Sequence, residues 1–232
     1  MIQTKFKPIL FSTPMVQAIL ENRKKQTRRV TNHPYFSKEE LLEHTLPKYQ
    51  IGDVLWVRET WQYLDIQEKW SDEIEDYIYK ICYTYKASND IRPDGIPPEE
   101  HHGNWVVSTK ERYDNAEYSI ESEEVEGRDI WKPSIHMPKE AARIFLEVTN
   151  VRLERLQDIS EADAVAEGFG KIINTQFAHP GWFVNHLNKH HMFCAVDSFA
   201  SMWVKLHGKE SWKQNPFVWV YDFERINKPA DF

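Results

Sequence analysis

Large apolar side chains alternate strictly near the end of the chain, in the segment PFVWVYDFERI at 216–226. Phe217, Trp219, Tyr221 and Phe223 occupy every second position there. Successive side chains of a β-strand point to opposite faces, so this spacing predicts a strand. Similar apolar segments predict further strands at 5–12, 52–61, 77–86 and 144–153.

Three short helices are predicted at the joints between these strands. Thr13 is a favourable N-cap before Pro14, Ser160 is followed by Asp163 in a capping pattern, and a third helix begins near Ser198. Strands outnumber helices, and a closed barrel would protect strand edges best. We therefore expect an α+β chain, mostly an antiparallel β-barrel with short helices at the strand joints.

Charge and cysteine content narrow the class of protein. No run of about 18 apolar residues and no N-terminal leader pattern occur, which disfavours membrane insertion and secretion. Cys82 and Cys194 form no CxxC pair, which is typical of free thiols in a reducing cytoplasm. The net charge is 29 − 36 = −7, which argues against a wide surface that binds nucleic acid. The segment 21–30 nevertheless carries five basic residues and one acidic residue. A narrow basic site on an acidic body is therefore expected.

Five motifs occur in a recognisable order. They are R-K-x-x-T-R-R from Arg23, G-D-V-L-W-V-R-E-T-W from Gly52, W-K-P-S-I-H-M-P from Trp131, L-x-D-I-S-E-A-D-A-x-A-E-G from Leu156 and N-P-x-V-W-V-Y-x-F from Asn215. Together they resemble the ASCH-domain proteins of phage and prophage type, within the PUA-like superfamily. The resemblance covers about 5–63, 129–169 and 198–226. It implies a single ASCH/PUA-like domain over 1–232, with insertions at about 64–128 and 170–196.

The resemblance also implies a function and a site. PUA-like barrels bind RNA or read modified bases, some small ASCH members are acetylcytidine amidohydrolases, and another is described as a ribonuclease. Carried over by position, the catalytic residues are Lys24, Thr27 and Glu167. An unprotonated lysine can activate a threonine hydroxyl, which requires burial or nearby arginine charge to lower its pKa. The alternative is a solvated basic turn and an exposed Glu167.

A second group of residues is expected to bind the nucleotide: Arg23, Arg28, Arg29, Arg58, Trp131, Ser134 and His136. The prolines at 133 and 138 predict an extended segment in which Ser134 and His136 share one face near Trp131. A base stacked on the ring and hydrogen-bonded by those two side chains is a common mode of single-nucleotide recognition. A core position for Trp131 with a structurally bonded His136 is the alternative. Arg58 could reach a phosphate, but an ion pair with Glu59 is favoured for it.

No metal or cofactor is expected. His186, His190, His191 and Cys194 have helical spacing but no zinc signature. Three functions stay open: binding or processing of RNA or a modified nucleoside, amide hydrolysis on an acylated base such as acetylcytidine, and a non-catalytic phage interaction protein. The last would bind a protein partner through its acidic insertions.

Overall fold

The computed structural model describes residues 5–33, 36–88, 104–126, 131–170, 183–188 and 191–232. The strands are β1 (Phe6–Leu10), β2 (Gln26–Val30), β3 (Val54–Arg58), β4 (Trp61–Ser71), β5 (Asp76–Tyr85), β6 (Asn104–Ser108), β7 (Phe145–Arg155), β8 (Phe183–Val184), β9 (His191–Met192) and β10 (Phe217–Ile226). The helices are α1 (Thr13–Leu20), α2 (Lys38–His44), α3 (Lys110–Glu126), α4 (Glu161–Ala166), α5 (Ala195–His207) and α6 (Lys209–Gln214). The predicted α+β class is confirmed.

Within the described ranges the strands form three sheets. The largest has five strands in the order β1-β3-β7-β10-β2, β4-β5-β6 form a second sheet, and β8-β9 form a two-stranded pair. β2 and β10 pair antiparallel, with Tyr221 opposite Thr27 and Asp222 opposite Gln26. The five-stranded sheet has β1 and β2 at its ends, so closure into a barrel stays a prediction.

The chain divides into two compact units. The first contains Met1–Lys7, Ala18–Leu55 and Leu146–Ile226. In its core, Phe199 and Trp203 of α5 pack with Val218 and Val220 of β10. Both faces of β10 are therefore covered, because α5 packs on the valine face while Phe217, Tyr221 and Phe223 are buried as well.

The second unit contains Pro8–Gln17, Trp56–Phe145 and Asn227–Phe232. β4 and β5 form a long antiparallel hairpin that pairs Trp61 with Tyr85, and β6 extends the sheet beside β5. α3 packs on β4 and β5. Its Tyr113, Ala116 and Ile120 are buried at spacings of three and four residues, which is one face of a helix.

Two features of this part of the chain were not predicted from the sequence. Within 88–128, predicted as part of an insertion that is partly loop, residues 104–126 form β6 and α3. The apolar stripe of α3 is interrupted by many acidic residues, which concealed its periodicity. The strand expected over 52–61 ends at Arg58, and Trp61 already begins β4. None of the helices in the described ranges has the length and apolar character that a membrane span requires.

Candidate functional site

Three neighbouring strands of the first unit present polar side chains that meet in one cluster. β7, β10 and β2 are adjacent in the sheet. β7 contributes Arg152 and Glu154, β10 contributes Asp222, and β2 contributes Gln26 and Arg28. Residues two apart on a strand share a face, which explains the pairs on β7 and β2. Gln26 Nε2 donates to Asp222 Oδ1 at 2.5 Å, and Arg152 Nη1 donates to Asp222 Oδ2 at 2.7 Å. The polar residues of the three strands thus form one network.

α4 adds two carboxylates to this network. Ser160 caps the helix in a capping box with Asp163, as the sequence predicted. Asp163 and Glu167 are four residues apart, so they lie on the same side of the helix. Asp163 Oδ1 accepts from Gln26 Nε2 at 3.0 Å and from Arg152 Nη2 at 2.7 Å.

Lys24 and Glu167 form a buried ion pair at the end of α4. Lys24 Nζ lies 2.6 Å from Glu167 Oε2, and the two side chains are 1% and 5% exposed. Nζ also donates to the carbonyl oxygens of Gln26 (2.7 Å) and Glu167 (3.0 Å). An antiparallel β-bridge joins the backbones of residues 24 and 167. The structure therefore brings together two predicted catalytic residues from distant parts of the chain.

Gly168 allows the two segments to approach each other closely. It has a φ of +102°, a backbone conformation that glycine adopts readily and other residues do not. A Cβ at this position would lie 3.1 Å from Cβ of Ala18 and 3.3 Å from Cβ of Lys24. Glycine is thus required here both for the turn that ends α4 and for contact with the Lys24 backbone.

Burial dominates the ionisation of Lys24. Loss of hydration lowers the pKa of Lys24 below the ordinary lysine value, and the charges of Arg29 and Arg28 lower it further, while Glu167 opposes the shift. For Asp163, burial alone would raise the pKa, but hydrogen bonds from Ser160 and Gln26 and the charge of Arg28 lower it overall. The cluster thus makes Lys24 easier to deprotonate than an ordinary lysine, and Asp163 easier to ionise than an ordinary aspartate.

Arg28 lies inside the cluster and does not face solvent. Its guanidinium is 3.3 Å from Glu167 Oε1 and 3.3 Å from Glu154 Oε2, and its side chain is fully buried. Among the described residues, its Nε atom has no hydrogen-bond partner. A buried donor without an acceptor costs about 1–3 kcal/mol. This N–H is therefore available to an acceptor atom from outside the described residues.

The cluster is not basic. It combines three cations with four carboxylates, 3 − 4 = −1 in formal charge: Lys24, Arg28 and Arg152 against Glu154, Asp163, Glu167 and Asp222. The exposed arginines of the basic segment 21–30 lie outside the cluster. Arg23 pairs with Glu21 at 2.6 Å and donates to the carbonyl of Gly168 at 2.9 Å, and Arg29 is exposed on β2.

Thr27 lies on a strand and not on the short turn that precedes Lys24. It lies within β2, opposite Tyr221, and is 4% exposed. Strand alternation puts its side chain on the face opposite Gln26 and Arg28. The bend expected after α1 is confined to residues 21–25, because strand pairing begins at Gln26.

The predicted nucleotide-binding residues beyond position 50 belong to the second unit. Arg58 does not pair with Glu59: Arg58 Nη2 donates to the carbonyl of Ile135, and Glu59 accepts two hydrogen bonds from Arg143, at 2.9 and 3.0 Å. Consecutive strand residues point to opposite faces, so the predicted neighbour pair was wrong. Glu59, 1% exposed, receives its charge partner from the segment before β7.

The segment that contains Trp131, Ser134 and His136 is only partly extended. Residues Ser134–His136 form a 3-10 turn, in which the His136 amide donates to the carbonyl of Pro133 at 3.0 Å. Ser134 and His136 therefore do not share a strand face as predicted. Trp131 is half-buried with Lys86 Nζ 5.9 Å from its ring centre, and His136 is exposed.

Four residues of the cluster were not identified from the sequence: Gln26, Arg152, Glu154 and Asp222. Asp163 was identified only as part of the helix cap. The charged pair at i and i+2 on β7 was a usable signal, since a half-buried strand with charges on one face requires partners. Of the histidines considered for metal, His190 lies outside the described residues. Among the described residues no group of three or more potential ligands could hold a metal ion.

The comparisons with known proteins leave the family undetermined. No family model matches the sequence, and neither a curated protein nor a solved structure matches it. The resemblance to ASCH domains therefore depends on the five motifs and on the residues that they bring into the cluster.

Proposed function

We propose that this chain binds a modified nucleoside and hydrolyses an amide on its base, as acetylcytidine amidohydrolases do. The observation that carries the proposal is the buried Lys24–Glu167 pair, with Nζ and Oε2 2.6 Å apart and the pKa of Lys24 lowered by burial. A neutral amine beside a carboxylate can accept and return a proton during acyl transfer.

The charge of the cluster favours a nucleoside over an RNA strand. Phosphate recognition needs unpaired cations, whereas Lys24, Arg28 and Arg152 are balanced by four carboxylates. The Nε–H of Arg28, which has no acceptor in the part of the chain that the structure describes, is suited to a neutral acceptor such as a carbonyl oxygen. Because Lys24 and Glu167 are almost fully covered, substrate entry requires the residues over them to move.

In the proposed reaction, neutral Lys24 takes a proton from the attacking hydroxyl, which then adds to the acyl carbon of the base amide. The carbon–nitrogen bond breaks, and the exocyclic amine receives that proton. Glu167 orients Lys24 and passes the proton along their hydrogen bond. If the hydroxyl is that of Thr27, an acyl ester of Thr27 forms, and a water activated by Lys24 then adds to it, releases the carboxylic acid and returns the threonine hydroxyl. With water as the nucleophile the acid is released directly, so one water is consumed in either case.

The fold assignment belongs to the same proposal. We infer a PUA-like barrel of the ASCH type, supported by the order of the five motifs and by the pairing of β2 with β10, which joins the first and last motifs. Barrel closure would leave the Lys24–Glu167 pair at one end of a strand pair, where a small ligand can approach side chains and backbone together.

The test is turnover of N4-acetylcytidine by purified protein, followed as cytidine release by chromatography. Lys24→Met and Glu167→Gln should each lower kcat/KM by about 10²–10⁴-fold, the usual contribution of acid–base catalysis. Glu154→Gln is the matched control, because Glu154 pairs with Arg28 in the same cluster but does not touch Lys24. That variant should stay within a fewfold of wild type.

Thr27→Val then identifies the nucleophile. Loss of turnover with unchanged folding assigns the attack to the Thr27 hydroxyl, and retained turnover assigns it to water. Absence of turnover by the wild-type protein, or equal losses in Glu154→Gln and Glu167→Gln, contradicts the hydrolase. Cleavage of RNA that Lys24→Met removes would instead identify a ribonuclease, and salt-sensitive oligonucleotide binding without turnover would identify an RNA-binding protein.

A further inference from the structure

The second unit contains a cavity that the Lys24–Glu167 site does not use. Its volume is about 470 Å³, within the range of about 300–1,000 Å³ typical of small-molecule sites. The lining residues come from β4, β5, α3 and the segment 131–138: Trp61, Tyr63, Tyr83, Arg112, Asn115, Tyr118, Ser119, Lys132, His136 and Pro138. Of the described residues, these ten line it, and none of them carries a carboxylate.

One wall of the cavity is aromatic. The ring centres of Trp61, Tyr63 and Tyr83 lie between 5.0 and 5.6 Å from one another, so they form one packed group on the β4–β5 hairpin. Tyr63 retains partial exposure, and Tyr118 on α3 is 74% exposed. A flat ring can therefore contact two tyrosines that are not fully buried, a mode of base binding that tolerates any base.

The cavity also carries positive charge. Arg112 is paired with Glu140, which also accepts from Tyr83 at 2.6 Å. Lys132 donates to the uncharged hydroxyl of Ser119 at 2.8 Å, with its Nζ 5.2 Å from the Tyr63 ring centre. Lys132 thus provides a cation next to the exposed aromatic surface, and the Asn115 amide adds a further donor to the lining.

A second observation points to a ligand. The indole N–H of Trp61 has no hydrogen-bond partner among the described residues, although Trp61 is only 3% exposed. Buried indole N–H groups usually have an acceptor. Because Trp61 lines the cavity, a ligand oxygen or nitrogen bound there is the acceptor that we assign to this N–H.

We propose that this cavity binds a nucleoside monophosphate, with the base against Tyr63 and Tyr118 and the phosphate on Lys132. Rings alone would suit any flat molecule, but a lysine beside a hydroxyl and an amide, without a carboxylate in the lining, favours a phosphate group. The site is separate from the proposed amide hydrolysis and does not depend on it.

The test is calorimetric titration with the four ribonucleoside 5′-monophosphates, each compared with its nucleoside and with inorganic phosphate. At least one monophosphate should bind with Kd below about 1 mM, and tighter than its nucleoside or inorganic phosphate by about tenfold or more. Affinity should fall as salt rises. If inorganic phosphate or the nucleoside alone binds as tightly as the monophosphate, the proposal that base and phosphate are both recognised is wrong.

Variants then locate the binding. Lys132→Met and Tyr118→Ala should each weaken monophosphate binding by about fivefold or more. Lys69→Met and Tyr77→Ala are matched controls, since both residues are exposed on the β4–β5 hairpin and neither lines the cavity. Tyr118 is largely exposed, so its removal leaves folding intact. Unchanged affinity in both cavity variants overturns the site. Monophosphate binding by wild-type protein that does not hydrolyse N4-acetylcytidine would still support the site, which separates this proposal from the hydrolase.

Discussion

Breaking the Lys24–Glu167 pair should destabilise the protein unequally, depending on which partner is removed. Removal of one member of a buried ion pair typically costs about 3–5 kcal/mol, because the other charge stays buried. In Lys24→Met, Glu167 keeps the Arg28 guanidinium at 3.3 Å. In Glu167→Gln, Lys24 keeps carbonyl acceptors but loses the carboxylate partner. We expect a loss near the lower end of that range for the first variant and near the upper end for the second.

The pH dependence provides a check on this reasoning. Glu167 raises the pKa of Lys24 against the effect of burial, so its removal lowers that pKa further. The unfolded chain then binds more protons than the folded one over the interval below the ordinary lysine pKa, and the stability of Glu167→Gln must rise with pH there. The deficit of this variant relative to wild type should therefore shrink between pH 7 and pH 10.

Urea unfolding followed by tryptophan fluorescence measures both effects, and the double variant completes a thermodynamic cycle. The losses in unfolding free energy of the two single variants should add up to more than the loss of the double variant, by more than about 1 kcal/mol. The reason is that the double variant loses the same ion pair only once. Single losses below about 1 kcal/mol, additive losses, or a deficit independent of pH would show that the pair is not a buried ionic interaction.

Three further predictions concern neighbouring features. Arg143→Ala leaves Glu59 buried without its bidentate partner and should lower the free energy of unfolding by about 3–5 kcal/mol in urea titrations; a loss below about 1 kcal/mol would contradict the pairing. The pKa of Asp163 is lowered in the folded state, so its stabilisation is present above its ordinary pKa and is lost as pH falls through the lowered one. In thermal melts at a series of pH values, the stability of Asp163→Asn should therefore fall less steeply at acidic pH than that of wild type. An equally steep fall would refute the lowered pKa of Asp163. Gly168→Ala should cost more than Gly52→Ala in the same melts, because both glycines have positive φ but only Gly168 has neighbours within 4 Å; equal losses would mean that backbone strain alone explains the effect.

Helix ends could be predicted from the sequence where the residues that form them are close together in the chain. The capping box at Ser160 and the glycine that ends α5 at Gly208 were recognised because their partners lie within a few residues. The same signal at Ser37 and Glu40 was overlooked, although it caps α2 in the same way. α3 was missed because its apolar stripe is diluted by acidic residues.

The site was predicted in part. The resemblance identified Lys24 and Glu167, which the structure brings into contact. The polar network around them depends on which strands are neighbours, and no local pattern shows that β10 lies between β7 and β2. The contribution of Asp222 could therefore not be predicted. Glu59 was paired with the wrong arginine for the same reason, because its true partner lies 84 residues away.

α4 depends on its attachments at both ends. Six residues are too few for a helix to persist in water by itself, because nucleation costs more than so few hydrogen bonds return. The Ser160 cap holds one end, while Lys24 Nζ on the Glu167 carbonyl and the Lys25 amide on the Ala166 carbonyl (2.7 Å) hold the other. Detaching residues 24 and 25 would thus free the C-terminal end of the helix next to Glu167, while Ala164 keeps its place in the core with α5. The ion pair and this end of the helix therefore stabilise each other.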